Sequence, residues 1–172
     1  MSRIRVRHGA IGFVIALGLM HLLPAKTALA QPYSDQENRN LATVQAGFDA
    51  WHAGSGSPYD ALAPDAVWEI TGNSLAARTY HGKDDFMRNV IMPFNARMSA
   101  RLIPAIRDIY ADGDTVIVFF DAEGTARDGI PYRNTYAWFL HLRDDRIVSA
   151  SAFFDSLAFD DLWRRVTPAP NP

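Results

Sequence analysis

A carboxylate at the end of an apolar strand is the clearest place in this sequence for acid/base chemistry. Asp155 follows a strand predicted over residues 147–154 and precedes a helix predicted to begin at Ser156. If Asp155 faced inward beside Phe153 and Phe154, it would lose hydration. Desolvation raises the pKa of an acid toward neutral pH, where a general acid or base works best. Aspartate is also a preferred helix N-cap, because its oxygens accept the free N–H groups of the first turn. The local sequence leaves both roles open.

Further candidates alternate along the strand predicted over residues 132–142. They are Tyr132, Asn134, Tyr136 and Trp138. Alternate side chains of a strand share one face, so a phenol, an amide and an indole can orient an oxygenated ligand together. The other interpretation is a ladder of aromatic core residues. Trp68 and Tyr80 are candidates for lining a pocket on the same argument.

The composition argues against metal and thiol chemistry. The sequence has no Cys, which excludes disulfides, thiol catalysis and thiolate metal sites. After the first thirty residues the histidines are His52, His81 and His141, on different predicted elements and without the short spacing of metal ligands. We therefore expect no metal site and no cofactor.

Residues 1–30 have the layout of a secretory signal peptide. Arg3, Arg5 and Arg7 precede an apolar run over residues 11–23, and an Ala-Leu-Ala motif ends at Ala30. The run is shorter than the roughly 20 residues that cross a bilayer, so we expect cleavage near Ala30 rather than a stable membrane anchor. This predicts a periplasmic or secreted protein.

The remaining chain has the length and charge of one acidic domain. Removing the leader, whose charged residues are all basic, takes the formal net charge from −2 to −6. A negative domain argues against nucleic acid as a partner. We predict one domain over residues 31–166 and a disordered, proline-rich tail over residues 167–172.

Helical and strand patterns follow one another within this domain. Ser34 and Glu37 match a capping box, and the apolar spacing behind them predicts a helix that ends at Gly54. Residues 66–71 read as a strand and are followed by a loop. Residues 86–94 carry a second helical stripe that Pro93 kinks or ends.

Three turn clusters then divide four β-rich runs. The predicted strands are 102–110, 115–125, 132–142 and 147–154. A last helix follows Asp155. This order predicts an α+β fold, in which a curved, mostly antiparallel sheet wraps around helices as a cone-shaped barrel and leaves a cavity for a small hydrophobic ligand. Several strands are apolar on both faces, so we expect a homodimer through the outer face of the sheet.

Four segments in this order resemble a known family. They are PDAVWEI (64–70), YHGK (80–83), YRNTY (132–136) and RIVSASAFFD (146–155). Together they look like the SnoaL-like, polyketide cyclase-like family of the nuclear-transport-factor-like and ketosteroid-isomerase-like superfamily. The resemblance implies the cone-shaped fold and turns the alternating set on strand 132–142 toward the cavity. It also places Asp155 at the position of the proton-transfer acid of SnoaL-type cyclases and limonene-type epoxide hydrolases.

Other positions depart from the enzymes of this superfamily. Ile70 stands where the resemblance would put the base of a ketosteroid isomerase, and Trp138 stands where that enzyme has an oxyanion-stabilising acid. Asp121 and Glu123 share a strand face, but no Arg lies between them to complete an epoxide hydrolase signature. Steroid isomerisation and epoxide opening by those mechanisms are therefore not expected.

Two functions remain open from the sequence. The first is a cofactor-free isomerase, cyclase or hydrolase with Asp155 as general acid/base on a small apolar or aromatic oxygenated substrate. Its substrate-binding residues would be Trp68, Tyr80, Asn134, Tyr136 and Trp138. The alternative is a non-catalytic ligand-binding module or a dimeric assembly protein.

Overall fold

The computed structural model describes residues 32–170, so the predicted signal peptide lies outside the described residues. Helix α1 spans Asp35–Ala53 and begins with the predicted capping box. The Ser34 hydroxyl accepts the Glu37 amide, and the Glu37 carboxylate accepts the Ser34 amide at 2.7 Å. Gly54 ends the helix in the left-handed conformation, with φ +77°, which glycine adopts without steric cost.

Six strands form one mixed, open sheet. The strands are β1 (Leu62–Ile70), β2 (Thr79–His81), β3 (Met98–Asp112), β4 (Thr115–Ala126), β5 (Pro131–Arg143) and β6 (Arg146–Phe154). Their order is β2-β1-β6-β5-β4-β3. The pair β1 and β6 is parallel and every other pair is antiparallel. The predicted α+β class and the predicted meander of four strands are confirmed.

Two details of the sheet differ from the prediction. The three residues of β2 lie in the segment predicted as loop, and they pair with β1 so that Tyr80 faces Trp68. A strand this short shows too little alternation to be recognised in a sequence. Strand β1 begins at Leu62 rather than Ala66, because its first part joins β6 through a register shift that the alternation does not encode.

The second helical segment is irregular. It consists of α2 (Lys83–Phe86), a π-helical turn (Met87–Ile91) and α3 (Met92–Asn95). Phe86, Val90 and Phe94 point inward along it, as the sequence spacing predicts. Pro93 lies at the start of α3, directly after the π-helical turn, and the helical segment continues past it to Asn95.

The hydrophobic core lies between α1 and one face of the sheet. Val44 and Phe48 of α1 are almost fully buried against Val118 and Phe120 of β4, which have no exposed surface. Helix α4 (Ser156–Arg165) adds Phe159 and Leu162 to the core. The alternation of buried residues on β4 and β5 places the even-numbered side chains on this inner face.

The chain beyond α4 has no regular secondary structure up to residue 170, and the Ala169 amide donates to the Ala96 carbonyl at 2.8 Å. The predicted disorder of the tail stays a prediction. Within residues 32–170, every helix is too short or too polar to span a bilayer.

Candidate functional site

A cavity of about 520 Å³ lies inside the cone, between the inner face of the sheet, the end of α1 and the helical segment Lys83–Asn95. Nine of the lining side chains are aromatic. They are Trp51, Tyr59, Trp68, Phe86, Phe94, Tyr136, Trp138, Phe154 and Phe159. Ligand sites of small molecules are commonly concave and mostly apolar, with few polar groups, and this cavity has that character.

The aromatic rings of the wall pack against one another. Trp51 and Trp138 stack at 6.0 Å between ring centroids, with 12° between their planes. Trp68 stands edge-on to Trp138 at 5.1 Å and stacks on Phe86 at 4.4 Å. Such ring contacts add to the stability gained from burial alone and hold each ring in place. The wall therefore offers fixed ring faces and edges against which a planar molecule can stack.

Two phenols supply hydroxyl groups to this wall. Tyr136 shares a hydrogen bond of 3.0 Å with the Tyr132 hydroxyl, and Tyr59 lies 5.7 Å from Trp138 between ring centroids. Burial raises the pKa of Tyr59 above its ordinary value, and it raises the pKa of Tyr136 well above it. Both hydroxyls stay protonated at neutral pH and do not serve as bases. The Tyr59 hydroxyl can donate a hydrogen bond to a ligand oxygen, whereas the Tyr136 hydroxyl is already paired with Tyr132.

The mouth of the cavity lies where its lining reaches solvent, at Gly54, Asn95 and Arg101. The two terminal nitrogens of Arg101 donate to the carbonyls of Trp51 and His52, both at 2.7 Å. These carbonyls belong to the last turn of α1, where a helix runs out of backbone donors. The Trp51 carbonyl also accepts the Gly54 N–H at 3.1 Å. A side chain at position 54 would approach the Arg101 guanidinium to 3.0 Å, so glycine there allows the close contact.

Asn134 does not line this cavity. It is 6% exposed, and its amide nitrogen donates to the Tyr132 hydroxyl at 2.9 Å and to the Asp155 carbonyl at 3.0 Å. Its amide oxygen accepts the backbone N–H of Asp155 at 2.9 Å and that of Thr135 at 2.7 Å. Asn134 therefore fastens the end of β6 to β5, and its role as a ligand-orienting amide stays a prediction.

Asp155 caps α4. One carboxylate oxygen accepts the backbone N–H of Leu157 at 2.9 Å and that of Ala158 at 3.4 Å. The residue is exposed and borders a second concavity, of about 590 Å³, outside the aromatic cavity. The capping role that the sequence left open is thus present, and the acid/base role stays a prediction.

The other predicted residues separate into two groups. Trp68, Tyr136 and Trp138 meet in the aromatic cavity. Tyr80 packs outside its lining, with its hydroxyl donating to the Ala76 carbonyl at 2.7 Å and the Arg78 guanidinium 4.0 Å from its ring centroid. Its role in substrate binding stays a prediction.

Sequence reasoning missed several residues that the fold brings into use. Trp51 and Tyr59 reach the cavity from α1 and from a 3-10 turn over Pro58–Ala61, and Arg101 stands at its mouth. Trp51 carried a signal, because it continues the apolar spacing of α1. The Arg107 side chain on β3 forms an ion pair of 2.6 Å with Asp121 on β4. The sequence of β4 contains no arginine beside Asp121, so this pair depends on how β3 and β4 align.

Among residues 32–170, no three side chains of His, Asp or Glu converge in a way that would hold a metal ion. Within the described chain, the cavity lining also contains neither a carboxylate nor an imidazole. Its polar chemistry therefore rests on hydroxyl and indole groups, with Ser57, Asn95 and Arg101 nearer the mouth.

Solved structures share this fold at low sequence identity. Bal32a from a soil-derived mobile gene cassette has a TM-score of 0.65 and 18% identity, over 76% of this chain and 100% of its own. A protein of the nuclear-transport-factor-2-like type from Burkholderia xenovorans LB400 has a TM-score of 0.56 and 19% identity, over 74% and 98%. TerC, co-crystallized with polyporic acid, has a TM-score of 0.58 and 20% identity, over 73% and 98%.

No curated protein sequence matches the chain. The family model that describes the SnoaL-like domain matches residues 44–150, which is more than half of the sequence and includes α1 in part and all but the end of the sheet. This match and the shared architecture lead to one assignment: the chain belongs to the SnoaL-like family of the nuclear-transport-factor-like superfamily.

Proposed function

We propose that this SnoaL-like domain binds a small, predominantly aromatic molecule in the cavity inside the cone. The observation that carries the proposal is the cavity of about 520 Å³ with a wall of stacked aromatic rings and a mouth open to solvent. Burying a flat apolar ligand against these rings releases water from both surfaces, which is the main favourable contribution to binding of this kind.

The proposed ligand carries oxygen atoms. The Tyr59 hydroxyl remains a protonated donor within an apolar wall and matches a carbonyl or ether oxygen of a bound molecule. Buried donors that meet a ligand acceptor contribute to specificity, because a ligand without that acceptor would leave them unpaired. TerC, which is similar to this chain in fold, was co-crystallized with polyporic acid.

A second candidate function is cofactor-free acid/base catalysis at Asp155. One observation favours it: Asp155 directly follows Phe154, which lines the cavity, and Asn134 connects its backbone to the Tyr132 and Tyr136 hydroxyls. The Asp155 carboxylate itself caps α4 at the surface, outside the cavity, and the described lining holds no acid. Binding without turnover therefore needs fewer assumptions, and it is our main proposal.

Binding is tested with naphthalene-2-carboxamide as a neutral aromatic probe and with tryptophan fluorescence as the readout. Three of the four tryptophans, Trp51, Trp68 and Trp138, line the cavity, and Trp163 does not. We expect saturable quenching in the wild type. We expect the same titration in Trp163→Phe, which removes only the tryptophan outside the cavity.

The blocking variant is Ala152→Leu. Ala152 is 2% exposed and lines the cavity, so a larger apolar side chain there occupies part of the ligand space. We expect this variant to remain folded by circular dichroism and to bind the probe at least several-fold more weakly. Equal quenching of the wild type and the folded Ala152→Leu variant would place the probe elsewhere and refute the proposal.

Catalysis is tested separately with Asp155→Asn. Wild-type and variant proteins are expressed in parallel, and the small molecules that each releases on denaturation are compared by mass spectrometry. A substrate mass that accumulates only in the folded variant supports acid/base chemistry at Asp155. The same masses in both proteins support a binder without turnover.

The proposal includes export. The N-terminal sequence has the layout of a secretory leader, and cleavage near Ala30 would deliver the domain to the periplasm or the medium. Cell fractionation followed by intact-mass measurement tests this. Recovery of the full-length chain from the cytoplasmic fraction alone would contradict it.

The proposal also includes a homodimer through the outer face of the sheet. Phe153 is 45% exposed there and packs edge-on against Phe139, and Val67 on β1 is 36% exposed on the same face. The face also carries the Arg107–Asp121 and Arg133–Glu123 pairs, so it presents both signs of charge to a second copy. Light scattering tests this dimer. We expect the wild type to be dimeric and Phe153→Glu to be monomeric, and a monomeric wild type would refute the proposal.

A further inference from the structure

Arg101 is the one charged side chain in the cavity lining among the residues that the structure describes. The rest of the lining is aromatic, aliphatic or uncharged and polar. A cation at the mouth of an otherwise uncharged cavity creates a positive potential there, and the low polarity of the walls strengthens that potential relative to bulk water.

The charge of Arg101 has no carboxylate partner among the described residues. None of the ion pairs within residues 32–170 includes it. Its hydrogen bonds to the Trp51 and His52 carbonyls use one N–H of each terminal nitrogen. A guanidinium has five N–H donors, so three remain for a ligand or water.

The same two hydrogen bonds fix the orientation of the guanidinium. Both are 2.7 Å long, and Gly54 allows the close packing of the guanidinium against the end of α1. A group that is held in place before binding loses little conformational entropy when a ligand arrives. Capping the helix accounts for two donors of Arg101, but it does not use the remaining ones.

Asp60 places a negative charge near the mouth, which opposes the binding of an anion there. Its carboxylate approaches Gly56 and accepts the Ser57 amide at 2.8 Å, and both of these residues line the cavity. Asp60 itself is exposed and outside the lining. Solvent therefore screens its negative charge. The Asp60 charge reduces the attraction of an anion to Arg101 but does not cancel it.

We propose that the ligand of this cavity is an aromatic anion, such as an aromatic carboxylate, with its ring system among the tryptophans and its anionic oxygens on the free N–H groups of Arg101. The inference rests on the proposed binding function and specifies the chemical class of the ligand. Asn95, exposed at the same mouth, supplies an uncharged amide beside the anion. A flat carboxylate suits this arrangement because the planar guanidinium binds it through paired hydrogen bonds.

The test compares two probes that differ mainly in charge: naphthalene-2-carboxylate and naphthalene-2-carboxamide. Each is titrated at neutral pH against the full chain, with tryptophan quenching as the readout. We expect the carboxylate to bind wild type roughly tenfold to hundredfold more tightly, as for a hydrogen bond to a charged group. Added NaCl is expected to weaken binding of the carboxylate and to leave binding of the carboxamide nearly unchanged.

Two substitutions locate the preference. Arg101→Gln is expected to bring the affinities of the two probes together, and Arg101→Lys is expected to retain part of the difference because it keeps the charge. Arg39→Gln is the matched control, because Arg39 is an exposed arginine of α1, the helix whose end Arg101 contacts, and it lies outside the cavity lining. The control is expected to retain the full preference.

The outcomes separate the two proposals. Equal affinities of both probes for wild type, without salt dependence, overturn the anionic ligand and leave the binding function intact. A carboxylate preference that persists in folded Arg101→Gln also overturns the assignment to Arg101. Failure of both probes to bind wild type overturns the proposed function itself. If Arg101→Gln does not fold, the anionic ligand is tested by the comparison of the two probes in wild type, by its salt dependence and by Arg101→Lys.

Discussion

Replacing Asn134 with Ala tests whether this amide holds the fold together or is free to orient a ligand. The substitution removes four hydrogen bonds of 2.7 to 3.0 Å, to the backbone of Thr135 and Asp155 and to the Tyr132 hydroxyl. Each such bond contributes on the order of 1 kcal/mol, and loss of a buried partner adds to the cost. Some of the freed groups regain water, so we expect the free energy of unfolding to fall by about 2–4 kcal/mol.

The assay is equilibrium urea unfolding, followed by tryptophan fluorescence and by circular dichroism. Small proteins lose about 1–3 kcal/mol of stability per molar urea, so the expected midpoint decrease is on the order of 1–2 M. Asn38→Ala is the matched control, because exposed Asn38 makes one side-chain hydrogen bond, to the Tyr33 carbonyl at 3.1 Å. Its expected change is below about 0.5 kcal/mol. Equal midpoints for wild type and Asn134→Ala would refute the structural role.

Asn134→Asp refines the same test through pH. The carboxylate keeps the two backbone donors of Asp155 and Thr135 but faces the Asp155 carbonyl, to which the native amide donates at 3.0 Å. Only the protonated acid can donate there, so the pKa in the folded variant should lie above the unfolded value of about 3.9. The stability deficit is then smallest below the unfolded pKa and grows as pH rises toward the folded pKa. A deficit that does not change with pH would contradict this reasoning.

Three further predictions concern the scaffold. Gly124→Ala would bring a Cβ within 2.9 Å of the Arg101 carbonyl, so we expect a loss of about 1–3 kcal/mol in urea unfolding, and an unchanged midpoint would argue against the close approach of β3 and β4. The Thr135 hydroxyl is the main cause that lowers the pKa of Asp121, so this carboxylate stabilises the fold above its unfolded pKa of about 3.9 and the effect is lost as pH falls through the folded pKa. Asp121→Asn should flatten the acid side of the melting temperature against pH, and identical profiles would contradict the assignment. Ser34→Ala removes the cap of α1 and should cost about 1 kcal/mol, whereas no loss of stability would show that the capping box contributes little.

Most of the elements of this fold, with the exception of β2 and the start of β1, were readable from the sequence because their signals are local. The Ser34–Glu37 capping box acts within one helical turn, and Gly54 ends the same helix through its own backbone conformation. The alternation on β4 and β5 reports which side chains share a face, whatever the rest of the chain does. The cap at Asp155 is local in the same way, since the backbone N–H groups that donate to its carboxylate lie two and three residues ahead.

The candidate site could be predicted only in part. Trp68, Tyr136 and Trp138 line one cavity. They could be predicted because the family resemblance and the strand alternation indicate which side chains lie on the inner face of the sheet. The same alternation puts Asn134 on that face, but the end of β6 lies beside it. The Asn134 amide therefore forms hydrogen bonds with the Asp155 backbone rather than lining the cavity.

Only the tertiary structure decided how these elements meet. The sequence determined the helix ends, the strand alternation and the α+β class, since each depends on residues within a few positions of one another. The parallel pairing of β1 with β6, the stacking of Trp51 on Trp138 and the position of Arg101 on the last carbonyls of α1 join distant segments. Such contacts depend on strand order and on the curvature of the sheet, which minimise the energy of the whole domain and are not encoded in a local pattern.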